Sequence, residues 1–332
     1  MRPPLGGTSE FETRRAPEAH EKRMGSTFGA GKFAMAVVAI GATLTSSLGA
    51  ADHVELHPLN ARVIHEARVE STPIRDTLAA EPWRTHFGRT DVYIPTFFEP
   101  KNGTYDLIVH FHGLAAAQES NIERSGVNAV VASVNLGVGS GPYEVAFKDG
   151  WTFPHLVKVI EKAVAKSGRA NGAHLGRIAL SAWSAGYGSV SAILRVPSNA
   201  KRIDALLLAD GLHSDYLDEK RHIVDDAPLA KYVKVAKAAI AGDKLFALTH
   251  SSITTSGYPN TTETIGELIK LAGVEKEVIV ADGPREMAQV YEADKGDFHV
   301  KGYLGIAIKD HIDHIWGMNE TLLPYLRDRW NR

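Results

Sequence analysis

Residues 177–190 read RIALSAWSAGYGSV, and within them Ala182-Trp183-Ser184-Ala185-Gly186 sets one serine among small neighbours. An apolar run that breaks at a small-x-Ser-x-Gly turn and resumes as a helix lifts a hydroxyl clear of a sheet. The flanking positions must be small because strand and helix nearly touch there. At the N-terminal end of that helix developing negative charge is favoured, and the Ala185 N–H would point at an oxyanion. The chemistry implied is nucleophilic attack by Ser184 on a carbonyl. The pentapeptide alone also fits an ordinary strand-to-helix turn.

Such a serine needs a base, an acid to orient that base, and a second oxyanion donor. Residues 109–114 read VHFHGL. A His-Gly pair leaving a strand lets the backbone bend under the reaction site, and the Leu114 N–H would be the second donor. Equally, His110 and His112, two apart, share one strand face and pack there. For the base, residues 309–315 read KDHIDHI. His314, nearer the terminal helix, is the expected general acid and base, with His311 its competitor; alternatively both imidazoles sit on one helical turn. For the acid, Asp210 ends the apolar run ALLLAD and is followed by Gly211, whereas after the run LFALT no carboxylate occurs until Glu263. Asp210 is the expected orienter, although Asp-Gly also makes plain turns. Asp310 and Asp313 lie closer to His314 in sequence. His112, Gly113, Trp183, His213 and His250 are expected to line a pocket, with Tyr143 packing on an acyl or aromatic group.

These residues need elements to hold them. Runs at 89–95, 105–112, 128–136, 177–182, 205–209, 245–249 and within 303–308 have strand character, the first two as neighbours joined by EPKNG. Helical spacing marks 154–166, 187–195, 229–241 and 315–330. Strand and helix alternation implies a mostly parallel sheet covered on both faces, whose active groups gather beyond the carboxyl ends of the strands.

Composition narrows the classes further. In 332 residues, 37 Lys and Arg stand against 39 Asp and Glu, so no general electrostatic grip on nucleic acid is expected. With no cysteine, thiolate metal sites, Cys nucleophiles and disulfides are excluded. The uncharged stretch 33–51 follows Lys32 and has the length of a secretory signal core, which predicts export with loss of residues to about 51; a membrane anchor is the alternative. Residues 1–51 are therefore read as a polar leader plus signal peptide, and 52–332 as one catalytic domain with a small lid around 213–243. The product would be secreted or periplasmic, with no membrane span after processing.

Together SAWSAG after a strand, HFHG on an earlier one, DGLH after another and the terminal DHIDH resemble the α/β-hydrolase superfamily of serine hydrolases, over most of residues 52–332. The resemblance implies a three-layer fold, an eight-stranded, mainly parallel sheet and a Ser184-His314-Asp210 triad, with Leu114 and Ala185 N–H groups as oxyanion hole and no cofactor. Ala182 replaces the commoner Gly at the start of the elbow, and the acid follows the sixth strand rather than the seventh. The implied reaction is cleavage of a small-molecule ester or related acyl bond through an acyl-enzyme. Two competing readings are a secreted binding protein on the same scaffold and a metal-dependent hydrolase using His110, His112, His311 and His314.

Overall fold

The structure is a computed structural model that describes residues 81–332. The leader and signal readings of residues 1–51 lie outside the described residues.

Twelve strands occur in chain order: β1 Trp83–Phe87, β2 Thr90–Ile94, β3 Thr104–Phe111, β4 Val130–Val134, β5 His174–Trp183, β6 Ile203–Ala209, β7 Tyr216–Asp218, β8 Ile223–Val224, β9 Leu245–His250, β10 Glu277–Asp282, β11 Ala288–Lys295 and β12 Phe298–Tyr303. Ten of them form one sheet in the order β1-β2-β4-β3-β5-β6-β9-β12-β11-β10, while β7 and β8 make a separate ribbon. From β4 to β12 the neighbours pair in parallel; the two ends of the sheet are antiparallel.

The helices are α1 Ala115–Ser125, α2 Ser140–Phe147, α3 Thr152–Lys166, α4 Tyr187–Leu194, α5 Pro197–Arg202, α6 Ala230–Ile240, α7 Thr261–Ala272, α8 Ile308–Trp316, α9 Met318–Thr321 and α10 Leu323–Trp330. Strand β6 shows why two layers are needed. Its alternate residues belong to different clusters: Leu206 and Leu208 join Val157, Ile193 and Ile265 from α3, α4 and α7, whereas Ala205, Leu207 and Ala209 join Ile122, Ile315 and Leu326 from α1, α8 and α10. A strand apolar at every position must be covered on both sides, and helices cover it here.

Three sequence expectations change. The sheet has ten strands instead of eight, because the antiparallel pair β10–β11 extends its far edge. β10, EVIVAD, is mostly exposed despite its apolar centre, so its apolar run does not mark a buried strand. β2 and β3 are not neighbours; β4 lies between them. The segment expected as a lid divides in two. Residues 216–224 hold the β7–β8 ribbon, but α6 is a core helix whose Tyr232, Ala236 and Ala239 are fully buried. No helix among the described residues is long and apolar enough to cross a membrane.

Candidate active site

Strand β5 ends at Trp183, one 3-10 turn spans Ser184–Gly186, and α4 begins at Tyr187. Ser184 has φ +49°, a left-handed conformation that a residue with a side chain adopts at a cost. The turn is tight enough to dictate its neighbours. A Cβ on Gly186 would stand 2.1 Å from the Phe111 carbonyl oxygen, and one on Gly211 would stand 2.3 Å from the Ser184 carbonyl oxygen. The second contact also shows that the loop after β6 passes directly against the serine.

That loop carries Asp210, itself at φ +43° and almost wholly buried. Its Oδ2 accepts a 2.7 Å hydrogen bond from His311 Nδ1, while Oδ1 accepts from the Ser251 N–H at 2.8 Å and the Thr261 hydroxyl at 3.1 Å. Burial alone would raise this carboxyl, but the His311 hydrogen bond, backed by the Ser251 N–H, outweighs it and holds Asp210 below the ordinary carboxylate range. An ionised carboxylate can only accept, so His311 Nδ1 bears the proton of that bond.

His311, not His314, is therefore the imidazole on Asp210. His314, the expected partner, does not bond Asp210, and the helix starts earlier than the sequence pattern suggests: α8 begins at Ile308, so both histidines are helical and three residues apart. His311, in the first turn, reaches Asp210. His314, one turn further on, is buried, bonds through Nδ1 to Thr249 Oγ1 at 2.8 Å, packs edge-on against Tyr303, and has Nε2 enclosed without a partner. Burial pushes its pKa down to about 4, with the Asp210 charge opposing.

The other wall is the turn after β3. His112 and Gly113 have φ +74° and +96°, which swings the chain so that a Cβ on Gly113 would come within 3.1 Å of the Trp183 ring. Leu114 precedes α1 there with its side chain exposed. Beneath it, buried His110 donates from Nε2 to the His112 carbonyl at 2.8 Å, and its Nδ1 accepts from Ser181 Oγ at 2.8 Å. Burial drives its pKa down to about 3, as a neutral strut requires.

Trp183 ties these pieces together. Its indole stacks on His112 with centroids 5.2 Å apart and lies against His311 at 4.6 Å, and its Nε1–H donates to the His311 carbonyl at 2.9 Å. His112 is pushed down to about 4 by burial and then by the neighbouring His311.

The structure thus brings Ser184, Asp210, His112, Gly113, Leu114, Trp183 and Ala185 to one end of the sheet, with His311 added. His213 also belongs here: half-buried between the rings of Tyr187 and Tyr258, it donates from Nδ1 to the Pro259 carbonyl at 3.0 Å, and burial lowers its pKa against the pull of Asp210. Two expected pocket groups do not line it. His250 is fully buried, donating from Nδ1 to the Ser251 carbonyl and accepting from the Tyr291 hydroxyl at Nε2. Tyr143 is also fully buried; its hydroxyl accepts from the Leu136 N–H and bonds His112 Nδ1 at 2.8 Å, so it braces the His112 turn from behind. Ser251 and Thr261 were not foreseen as supports of Asp210. Ser251 follows the β9 run, which was a usable signal; Thr261 opens α7 after the Asn260 cap and carried none. The four histidines of the metal reading do not converge, and among the described residues no cluster of three or more His, Asp or Glu could hold a metal ion.

A mainly parallel sheet with helices on both faces, a serine at the sharp turn after a central strand, and an Asp-His pair at the same sheet end constitute an α/β-hydrolase fold. No protein-family model matches the chain, and no curated protein matches it. Among solved structures, the chain is similar to an uncharacterised protein from Capnocytophaga ochracea at 8% identity and TM-score 0.39, over 72% of this chain and 62% of that one. It is also similar to the feruloyl esterase module from Clostridium thermocellum at 12% identity and TM-score 0.43, over 75% and 88% of the two chains. A third is the enterobactin esterase from Shigella flexneri, at 14% identity and TM-score 0.41, over 76% and 59%. The chain therefore spans less than two thirds of the length of the first and third.

Proposed function

We propose that this chain is a serine hydrolase cleaving a carboxylic ester or related acyl bond, with Ser184 as nucleophile, His311 as general acid and base, and Asp210 as its orienter. The observation that carries the reading is the 2.7 Å Asp210–His311 hydrogen bond, held in a loop pressed against a left-handed serine.

The bonding of each group supports the part proposed for it. Asp210 fixes the His311 tautomer with the proton on Nδ1, leaving Nε2 to take the serine proton as Oγ attacks the carbonyl. As the O–C bond forms, the carbonyl oxygen becomes an oxyanion, for which the Leu114 and Ala185 N–H groups are the proposed donors. Collapse breaks the bond to the leaving alkoxide, which takes the proton from His311 Nε2. Water then attacks the acyl-enzyme, giving its proton to Nε2; the carboxylic acid leaves and Ser184 regains its proton. Asp210 stabilises the imidazolium in both halves, and Trp183 acts as a positioning residue, holding the His311 carbonyl and one face of its ring.

Labelling with a fluorophosphonate in the presence of a chelator tests the reading. Modification at Ser184, absent in Ser184→Ala and in step with loss of turnover on short-chain chromogenic esters, is expected. Labelling or ester turnover undiminished in Ser184→Ala would remove the serine from the mechanism. Loss of turnover to the chelator alone would favour metal-dependent hydrolysis.

A further inference from the structure

On the same helical layer as α4, but built from other residues than the site, a cavity of about 680 Å³ lies between α4–α5 and the start of α6. Five cationic side chains line it: Arg195, Lys201, Lys231, Lys234 and Lys244, against an apolar wall that includes Leu194 and Val235. Glu144 pairs with Arg195 at 2.6 Å. The other four have no ion-pair partner among the described residues: of the acids near Lys244, Asp204 is held in a two-pronged bond by Arg329 and Asp243 acts only at longer range, as Glu144 does on Lys231. The two half-buried ammonium groups hydrogen-bond only to backbone: Lys231 donates to the Pro228 carbonyl and lies 5.1 Å from the centre of the Tyr232 ring, and Lys244 donates to the carbonyls of Ile203 and Ala200. Withdrawing an ammonium from water is costly unless an opposite charge meets it, and a carbonyl dipole repays only part of that cost.

From this juxtaposition of four unpaired lysines and an apolar wall, we infer that the cavity is a binding site for a single-chain amphiphile with an anionic head, phosphate or carboxylate, whose tail lies on the apolar wall. The head group supplies the counter-charge that the fold leaves out, and the tail accounts for an apolar lining that a free inorganic anion would not use. Burial, and then the nearby Arg195, bring Lys231 down to about 8 against the pull of Glu144.

The test uses the full-length chain carrying Ser184→Ala, so that turnover and the proposed catalytic role do not enter. Titration calorimetry with octyl phosphate is expected to give one site that weakens as salt is raised, since the contact is charge-assisted. Lys231→Gln with Lys244→Gln is expected to weaken it at least tenfold, while octyl glucoside, equal in tail and neutral in head, binds at least tenfold more weakly. Lys231→Arg, which keeps the charge, should restore most of the affinity when paired with native Lys244. Equal binding of octyl glucoside, or native affinity in the double variant, would overturn the proposal. Inorganic phosphate binding as tightly as octyl phosphate would overturn the amphiphile and leave a bare anion site. A thermal melt of each variant, with the salt dependence of the native site as an independent reading, separates loss of binding from loss of fold.

Discussion

The first and second turns of α8 each carry an imidazole, and they differ in everything except residue type. His311 is partly exposed, with Nδ1 committed to a carboxylate and the face of its ring against Trp183. His314 is sealed between β9 and β12, bonded to a neutral hydroxyl, its second nitrogen facing no acceptor. A charge at the first would meet the Asp210 carboxylate; at the second, it would be sealed from water with no carboxylate bond to meet it. Three residues of helix, about 4.5 Å of rise, therefore separate an imidazole bonded to a carboxylate from one sealed in the core. The comparison teaches that residue type and spacing select candidates, while the register of the helix start decides between them.

The sharpest way to break this contrast is to remove each imidazole in turn. Ser184→Ala and His311→Ala are each expected to lower kcat on a short-chain ester by about 10⁴-fold or more, measured alongside His314→Ala, which should stay within about tenfold of the native enzyme if it supplies only packing. A crippled His314→Ala with a mild His311→Ala would reverse the assignment. Next in size is Asp210→Asn, expected to cost about 10³- to 10⁴-fold in kcat, because an amide can present the wrong tautomer to the base and no longer balances the imidazolium. If Asp210→Asn retained full rate across the pH profile, the carboxylate would be a structural turn residue.

His314 should instead reveal itself in stability against acid. Its pKa, about 4 in the fold against the usual 6.5, means that between those values the unfolded chain holds a proton that the native chain refuses. Stability from this group is thus intact above about pH 6.5 and is lost progressively as the pH falls toward 4, by at most about 1.4 kcal/mol per pH unit. His110 and His112, depressed to about 3 and about 4, act in the same direction. Urea unfolding of His314→Asn should show a shallower decline than the native chain between pH 6.5 and 4.5, without abolishing it. An unchanged slope would place the titration elsewhere.

Where several residues of the candidate site lie was legible in the sequence. Ser184 was readable because a tight turn restricts its neighbours to small residues, a constraint written directly in sequence. Asp210 was readable because an acid at the end of the buried run 205–209 has few structural reasons to be there. The choice between His311 and His314 was not, since periodicity places a helix but fixes its first residue poorly, and Ile308, Lys309 and Asp310 read as loop until their backbone bonds are known. The central strands were legible from their apolar runs. β10 was not, because an exposed edge strand has no core face to record; β11, which buries Gln289, Tyr291 and Ala293 between β10 and β12, was not read either. Trp183 was legible as a neighbour of the serine, but its bond to a residue 128 positions away belongs to the tertiary structure alone.

The finest division of the contrast lies in that tryptophan. Trp183 offers His311 two separable supports, a ring face and an N–H to its backbone carbonyl, and His314 receives neither. Trp183→Phe keeps an aromatic face and deletes the donor, leaving the His311 carbonyl in the first turn of α8 to find another partner. A neutral hydrogen bond of this kind is worth about 0.5–1.5 kcal/mol. The expected loss is therefore only about two- to tenfold, in kcat with KM nearly unchanged, because the bond orients the base and does not bind substrate. Trp183→Ala removes both supports and should fall further. Equal kcat in Trp183→Phe and Trp183→Ala would leave the ring contact without a role. A rise in KM alone would make Trp183 a wall of the substrate pocket and leave Asp210 as the group that positions His311.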